Sequence, residues 1–262
     1  MNIDIHNHTK RCNHATGECF EYVESAINCH TDIFGFACHA PMKFDEKYRM
    51  ALCEIDDYMQ EIRELGERYK NKIDIRLGFE VDYINKKEYL IERKVLDSSV
   101  DYLIGSVHFL NHWGFDNEEF IGVYESINID DAWIEYLESI ANMAQSGLFD
   151  IVGHFDLFKI FNNPPSKNLK KYIAKTLESI KDNHMVLEIN SAGFRKKIGE
   201  MYPSREILEL VFKCEIPITF SSDAHNPNQV GFKRNECKAI AKEIGFKKAA
   251  SFKGREIEFY DF

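Results

Sequence analysis

Histidine and acidic side chains recur directly after short apolar runs in this sequence, and their types favour metal-dependent chemistry. His6 and His8 follow the first such run, and His14 lies a few residues beyond them. Imidazole nitrogens and carboxylate oxygens together suit zinc, iron and manganese. The further residues of these types that follow later runs are His39, Glu80, His108, His154, Asp223 and His225. A single histidine at such a place is usually structural, but the whole set predicts a metal site.

The size of this donor set predicts more than one ion. A catalytic tetrahedral site uses three protein ligands and leaves one position open, so the set suits two or three divalent ions that share a carboxylate. Clustered ions lower the pKa of a bridging water and bind the oxygens of a tetrahedral substrate, which is the chemistry of phosphoester hydrolysis. Arg195 follows a later apolar run, and its forked guanidinium suits a phosphate. Lys159 is a weaker candidate for the same contact.

Short β-rich runs alternate with longer segments of helical spacing along the chain. The runs cover residues 2–6, 33–38, 73–81, 100–108, 150–154, 185–190 and 217–222. Apolar residues repeat every three or four positions over 52–69, 169–180 and 207–211. This spacing predicts helices with one face in the core, and Ser166 is the expected cap of the second.

Repeated alternation of strand and helix predicts an α/β fold in which helices cover a parallel sheet. A closed (β/α) barrel and an open sheet with helices on both faces both satisfy that pattern. The barrel is favoured because the reactive side chains fall at the C-terminal ends of the strands, where barrel enzymes carry their functional groups. Residues 246–262 are predicted to cap this barrel as a last helix and strand.

Composition argues against several classes of protein. The net charge of −10 repels nucleic-acid backbones, so we expect no nucleic-acid partner. The seven cysteines are odd in number and form no CxxC pair, which argues for a reducing compartment. The sequence shows neither an apolar stretch long enough to cross a membrane nor a signal peptide. We therefore expect a soluble, cytoplasmic protein without a membrane partner, either a monomer or a small homo-oligomer.

The motifs that carry these residues resemble those of the PHP (polymerase and histidinol phosphatase) superfamily. The segment D-I-H-N-H-T, followed by His14, is similar to the first motif of that family. The residues that are similar to its later motifs occur in the expected order over nearly the whole chain and are His39, Glu80, His108, His154 and S-D-A-H at 222–225. More narrowly, the segments GSVHFLNHWGFDN, VGHFDLFK, EINSAGFRK and YPSREIL resemble the histidinol-phosphatase branch.

The resemblance implies a single PHP-type domain over residues 1–262. Its fold would be a distorted, TIM-like (β/α)7 barrel with the metal site at the C-terminal ends of the strands. The resemblance also implies a trinuclear site of zinc, iron or manganese in which Glu80 bridges two ions. The first ion would be held by His6, His8, Glu80 and Asp223, the second by His14, His39 and His225, and the third by Glu80, His108 and His154.

The reaction that the resemblance implies is hydrolysis of L-histidinol phosphate to L-histidinol and phosphate, a step of histidine biosynthesis. The expected nucleophile is a metal-bridging hydroxide, and Arg195 adds positive charge where the transition state needs it. Asp223 or a metal-bound water would supply the proton to the leaving alkoxide. Phe109 is a candidate contact for the imidazole of the substrate. The alternatives are a PHP-fold phosphatase of other specificity, acting on phosphotyrosine or another phosphoester, and a non-catalytic metal-binding module.

Overall fold

The computed structural model describes all residues from Met1 to Phe262 and contains a sheet of seven parallel strands. The strands in chain order are β1 (Ile3–Asp4), β2 (Ile33–His39), β3 (Asp74–Asp82), β4 (Tyr102–Ser106), β5 (Phe109–Leu110), β6 (Trp113–Gly114), β7 (Ile151–Val152), β8 (Val186–Asn190), β9 (Ile218–Ser221), β10 (Lys248–Lys253) and β11 (Glu256–Asp261). The parallel sheet has the order β1-β2-β3-β4-β7-β8-β9, and each of its strands coincides with one of the predicted runs. The other four strands form two antiparallel hairpins.

The two edges of the parallel sheet meet and nearly close it into a barrel. Just beyond β1, the Ile5 amide donates to the Phe220 carbonyl oxygen of β9 at 3.2 Å. Further along, the His8 amide donates to the Ala224 carbonyl oxygen at 2.9 Å. The predicted barrel is therefore confirmed, and the open sheet is excluded.

Helices surround this barrel. The α-helices are α1 (Cys19–Asn28), α2 (Ile55–Tyr69), α3 (Arg93–Leu96), α4 (Ile129–Gln145), α5 (Lys170–Asp182), α6 (Arg205–Lys213) and α7 (Arg234–Ile244). Short 3-10 helices cover Lys10–Cys12, Glu46–Tyr48, Leu52–Glu54, Glu88–Leu90, Glu118–Glu125, Leu157–Lys159, Ser191–Arg195 and Pro227–Gln229. None of the helices combines the length and the apolar character that crossing a bilayer requires.

The three helices predicted from apolar spacing are α2, α5 and α6, and each buries its apolar stripe against the barrel. The expected cap at Ser166 is wrong. Its hydroxyl donates to Asp130 at 2.6 Å, while the Lys170 amide at the start of α5 donates to Asn168 Oδ1 at 2.9 Å. The N-cap position of α5 is Leu169, whose side chain makes no capping hydrogen bond, so the helix begins three residues later than a cap at Ser166 implies.

The C-terminal segment is a hairpin and not the predicted last helix and strand. β10 and β11 pair antiparallel across a tight turn at Gly254 and Arg255, both with positive φ. The Arg255 amide donates to the Asp101 carbonyl oxygen at 2.9 Å, immediately before β4 begins. The hairpin therefore covers the N-terminal end of the barrel, opposite the ends that carry the candidate metal ligands.

The Tyr102 ring of β4 fills the barrel interior and spans it from side to side. Its hydroxyl donates to the Ile5 carbonyl oxygen at 2.7 Å, directly before His6. Gly35 and Gly78 make room for the ring, because a Cβ at either position would overlap atoms of Tyr102. The ring therefore fixes the strand that presents the first histidines.

We expect Gly35→Ala to lower the free energy of unfolding by about 3 kcal/mol, because the added methyl group overpacks the barrel interior against Tyr102 and the Ile5 backbone. Gly66→Ala is the matched control. An added Cβ there meets nothing within 4 Å, so helix propensity in α2 should raise stability by about 0.5–1 kcal/mol. Urea denaturation of both variants measures the difference, and equal stability of the two would contradict the packing argument.

Candidate metal centre

All candidate metal ligands converge at the C-terminal ends of the barrel strands. His6 and His8 follow β1, His39 ends β2 and Glu80 lies near the end of β3. The remaining candidates lie in the loops that follow β1, β4, β7 and β9, and they are His14, His108, His154, Asp223 and His225. Exposure rises from His6 and His8 in the interior, at 0%, to His14 at the mouth, which is exposed.

Glu80 lies at the centre of the cluster and is 1% exposed. Its Oε2 atom is 2.9 Å from His39 Nδ1 and 3.4 Å from His6 Nε2. Its Oε1 atom is 2.9 Å from His154 Nε2 and 3.5 Å from His108 Nε2. Oε2 is also 3.6 Å from His8 Nε2. The two oxygens therefore face different sets of imidazoles, which is the arrangement that a bridging carboxylate needs.

The spacing of the imidazole nitrogens fits divalent ions. His6 Nε2 lies 3.2 Å from His8 Nε2, and His108 Nε2 lies 3.2 Å from His154 Nε2. Two nitrogens on one tetrahedral zinc ion are about 3.3 Å apart, given zinc–nitrogen bonds of about 2.0–2.1 Å. Asp223 Oδ1 lies 3.0 Å from His8 Nε2 and adds an oxygen to the first pair. Nitrogen and oxygen donors facing one another at these distances form a divalent metal site.

A second group of imidazoles lies at the mouth of the barrel. The His14 ring is 5.3 Å from that of His39 and 4.7 Å from that of His225, measured between centroids. Ligand atoms of His8, His39 and His225 lie within 4.8 Å of one another. The mouth group therefore adjoins the interior group through His8 and His39.

The electrostatics of the cluster favour cations. Burial alone would raise the pKa of Glu80, but the imidazoles of His39 and His6 hold it well below its ordinary value. Burial lowers the pKa of His6, yet Glu188 and Glu80 raise it well above its ordinary value. At the mouth, His14 is exposed as a residue, but its ring is packed against other imidazoles. The partial loss of water around the ring and the neighbouring His39 lower the pKa of His14 to about 4, which leaves a neutral imidazole with a free lone pair.

Glu188 in β8 supports two of the ligands and was not predicted from the sequence. It is 0% exposed, and each of its oxygens accepts two hydrogen bonds. Oε1 accepts from His6 Nδ1 at 2.7 Å and from the Ser221 hydroxyl. Oε2 accepts from the His154 amide at 2.8 Å and from Asn190 Nδ2 at 3.1 Å. A carboxylate behind a ligating imidazole fixes its tautomer and its orientation.

Asp82 plays the same part for His108. Its Oδ1 atom lies 2.5 Å from His108 Nδ1, and its Oδ2 atom accepts from Arg49 Nη1 at 2.8 Å. Burial would raise the pKa of Asp82, but the positive charges of His108 and Arg49 lower it below its usual range. Asp82 is therefore ionised and turns His108 Nε2 toward Glu80.

Two candidate ligands have a left-handed backbone, with φ of 21° at His154 and 50° at Asp223. Residues other than glycine seldom adopt this region, which costs about 1–3 kcal/mol per residue. Glu188 holds the His154 amide, and Asn190 Nδ2 donates to Asp223 Oδ2 at 3.1 Å. Strain that is held in place by surrounding hydrogen bonds is typical of functional positions.

The predicted phosphate ligands differ in their availability. Arg195 lies beside the cluster, where Nη2 donates to the carbonyl oxygens of Ser222 at 2.8 Å and Asp223 at 2.9 Å. Its Nη1 atom is buried without a partner. Lys159 Nζ is instead bound by Asp156 at 2.8 Å, Glu200 at 2.8 Å and the Met201 carbonyl oxygen at 2.9 Å. All three of its protons are therefore used within the protein.

Phe109, the predicted contact for the imidazole of the substrate, begins the β5–β6 hairpin directly after His108. Its ring meets the Phe44 ring edge-on with centroids 5.0 Å apart. Phe44 belongs to the loop after β2, so the pair joins two loops at the catalytic end of the barrel. The two rings form an apolar wall between these loops.

We expect Glu188→Gln to weaken metal binding by about tenfold to a hundredfold. An amide has only one acceptor oxygen, so its NH2 group must face either His6 and Ser221 or His154 and Asn190, which are all donors. Competition with a chromogenic chelator measures the affinity, and circular dichroism verifies the fold.

Glu258→Gln is the matched control, because Glu258 pairs with Arg76 at the opposite end of the barrel. Its metal affinity should equal that of the unmodified protein. Unchanged affinity in Glu188→Gln would show that this carboxylate does not support the ligands.

Known proteins with the same motifs share this fold and this sequence pattern. Residues 4–192 match the PHP domain family. The chain is 33% identical over 257 residues to the probable histidinol-phosphatase of Deinococcus radiodurans, with 97% of this chain and 98% of that protein covered. It is 30% identical over 256 residues to the histidinol-phosphatase of Bacillus subtilis, with 87% and 95% covered.

A solved structure shows the same architecture. The histidinol phosphate phosphatase of Lactococcus lactis, in complex with zinc, L-histidinol and phosphate, superposes with a TM-score of 0.85 at 22% identity, over 98% of each chain. At that identity the likeness establishes the barrel fold, while the sequence matches establish the relationship. The chain belongs to the PHP domain family, in its histidinol-phosphatase branch.

Proposed function

We propose that this protein is a metal-dependent phosphatase that hydrolyses L-histidinol phosphate to L-histidinol and phosphate in histidine biosynthesis. One observation carries the proposal: imidazole and carboxylate donors surround Glu80 next to a buried guanidinium nitrogen that lacks a partner. The names of the Deinococcus and Bacillus relatives support the substrate. The Lactococcus protein supports it further, since it was solved with both products of that reaction.

The proposed cofactor is a set of three divalent ions, because the donors form three overlapping groups around Glu80. Mixed nitrogen and oxygen ligands suit zinc, iron or manganese. Bound there, such ions would polarise phosphoryl oxygens and lower the pKa of water. The proposed ligands are His6, His8, Glu80 and Asp223 for the first ion, His14, His39 and His225 for the second, and Glu80, His108 and His154 for the third.

Arg195 is the proposed phosphate ligand of the protein itself. Two carbonyl oxygens fix its Nη2 atom, so the guanidinium is held in one orientation. Its free Nη1 atom then donates to a phosphoryl oxygen and stabilises the negative charge that builds up there. Lys159 as a second phosphate ligand stays a prediction, and its three internal contacts support Arg195 over it.

Asp223 is the proposed group that moves the proton. Burial would raise the pKa of this carboxyl, but His6 and His8 hold it well below its ordinary value, so it is ionised. An ionised carboxylate accepts a proton from the attacking water and passes it to the leaving alkoxide of histidinol. Asn190, bound to Asp223 Oδ2, keeps the carboxylate in place during this transfer.

Phe109 and Phe44 form the proposed contact surface for the imidazole ring of the substrate. Offset or edge-to-face packing on such a wall favours an aromatic leaving group over a small aliphatic one. Phe109 directly follows the candidate ligand His108, so the two rings lie at the same end of the barrel as Glu80.

The proposed domain is one unit over residues 1–262. The family match ends at residue 192, yet Asp223 and His225 follow β9, so the last part of the chain completes the site. A cytoplasmic location and a monomer or small homo-oligomer are proposals that rest on composition. The net charge of −10 repels a nucleic-acid backbone. A small phosphorylated substrate needs positive charge only at the site itself, which bound metal ions would supply.

We expect purified protein loaded with zinc or manganese to release phosphate from L-histidinol phosphate, and a chelator to abolish that release. Phosphotyrosine and an aryl phosphate, each measured with and without chelator, are the comparison substrates. Turnover of the aryl phosphates alone would replace the substrate assignment with a phosphatase of other specificity. Metal binding without turnover of any of these esters would indicate a non-catalytic module.

We expect Arg195→Lys to lower kcat/KM for L-histidinol phosphate by about a hundredfold, because a lysine reproduces the charge but not the fixed donor. Bound metal should be unchanged, since Arg195 contacts carbonyl oxygens and no ligating atom. Arg63→Lys is the control, because Arg63 contacts Ser99 at the surface. Equal kcat/KM in the two variants would remove Arg195 from the phosphate site.

A further inference from the structure

Tyr202 lies at the catalytic end of the barrel, next to the ligands, although it is far from them in the sequence. Its amide donates to the Asn190 carbonyl oxygen at 2.9 Å, and the Asn190 amide donates back to its carbonyl oxygen at 2.7 Å. The segment around Tyr202 is thus paired to the last residue of β8. The ring meets the His154 ring edge-on, with centroids 6.5 Å apart.

The Tyr202 hydroxyl is buried without any hydrogen-bond partner. The residue is 1% exposed, yet its oxygen contacts neither a donor nor an acceptor of the protein. Other buried tyrosines differ, because Tyr102 donates to Ile5 at 2.7 Å and Tyr58 to Gly78 at 2.9 Å. Buried polar groups are nearly always paired, so an unpaired phenol next to a metal centre points to a ligand.

The hydroxyl end of the ring faces the turn that carries Arg195. A Cβ built on Gly193 would lie 3.0 Å from Tyr202 Cε2 and 3.1 Å from Cζ, so that end of the ring packs on the Ser191–Arg195 turn. The same turn holds two more buried polar atoms without partners, Ser191 Oγ and Arg195 Nη1. Three buried polar atoms without partners thus belong to this turn and to the tyrosine packed on it, and each can donate to an oxyanion.

The chemistry of these groups selects a phosphate over the ammonium of the substrate. The guanidinium of Arg195 repels an ammonium group and attracts a phosphoryl oxygen. A neutral phenol adds a hydrogen bond to that oxygen without adding charge. We propose, on the basis of the proposed function, that the Tyr202 hydroxyl donates a hydrogen bond to the phosphoryl group that Arg195 binds.

The test is Tyr202→Phe, which removes the hydroxyl and keeps the ring. We expect kcat/KM for L-histidinol phosphate to fall by about a hundredfold, as for the loss of one oxyanion donor. We also expect inorganic phosphate to bind about tenfold more weakly to the metal-loaded protein by calorimetry. Bound metal should be unchanged, and the Tm should be unchanged or higher, because an unsatisfied buried group has been removed. A purely structural hydroxyl would lower the Tm instead.

Tyr69→Phe is the matched control. Tyr69 is the last residue of α2 and lies away from the site, and its hydroxyl donates to Glu24 of α1. Unchanged phosphate affinity in Tyr202→Phe would overturn the proposal. So would a variant in which only L-histidinol binds more weakly. If the unmodified protein does not hydrolyse L-histidinol phosphate, the proposed function fails, and the phosphate titration still decides the role of Tyr202 separately.

Discussion

The site depends on one buried carboxylate, Glu80, which is surrounded by five imidazoles. A carboxylate and several imidazoles at this depth are unstable unless positive charge lies between them, because burial penalises every ionised group. Protonation of the imidazoles supplies part of that charge, and a divalent ion supplies two positive charges at one point. The barrel holds this arrangement in place: β3 is paired on both sides, with β2 and β4, and Tyr102 fixes the strand that presents His6.

The buried acids behind the ligands extend the same principle outward. Glu188 and Asp82 use their oxygens on imidazole N–H groups, so the opposite ring nitrogens face the cluster. Asp82 is itself bound by Arg49. Along this path the charge alternates outward, from the imidazole of His108 to the carboxylate of Asp82 and then to the guanidinium of Arg49. Each buried ionisable group is therefore hydrogen-bonded to a group of opposite charge, which allows several of them to be buried close together.

The seven strands and their order could be predicted from the sequence, because each apolar run is short and bounded by a helical segment. The candidate ligands could be brought together for a related reason, since parallel strands end at the same edge of a barrel. Which donors share an ion could not be derived from strand ends alone. That depends on which way each side chain turns in the folded barrel, and the ligand scheme therefore came from the family resemblance.

Other features needed the three-dimensional structure, although some left a signal. Glu188 is an acid inside the apolar run of β8, and a charge within a buried parallel strand indicates a partner. In the C-terminal hairpin, β11 alternates polar and apolar residues from Glu256 to Phe259 directly after a glycine turn, which is typical of a strand. Asp156, three residues before Lys159, was a local sign that its charge is paired, whereas Glu200 reaches it from a distant loop. The unpaired hydroxyl of Tyr202 depends entirely on tertiary packing.

The meeting of the first and last barrel strands has a consequence for the order of folding and metal uptake. His6 and Asp223 come from opposite ends of the sheet, so their contact closes almost the whole chain into one loop. Contacts of such high contact order form late, since the entropy of loop closure must first be offset. The amino-terminal histidines alone offer an incomplete coordination sphere to a passing ion. A site built from the proposed ligands would therefore be complete only in the closed barrel.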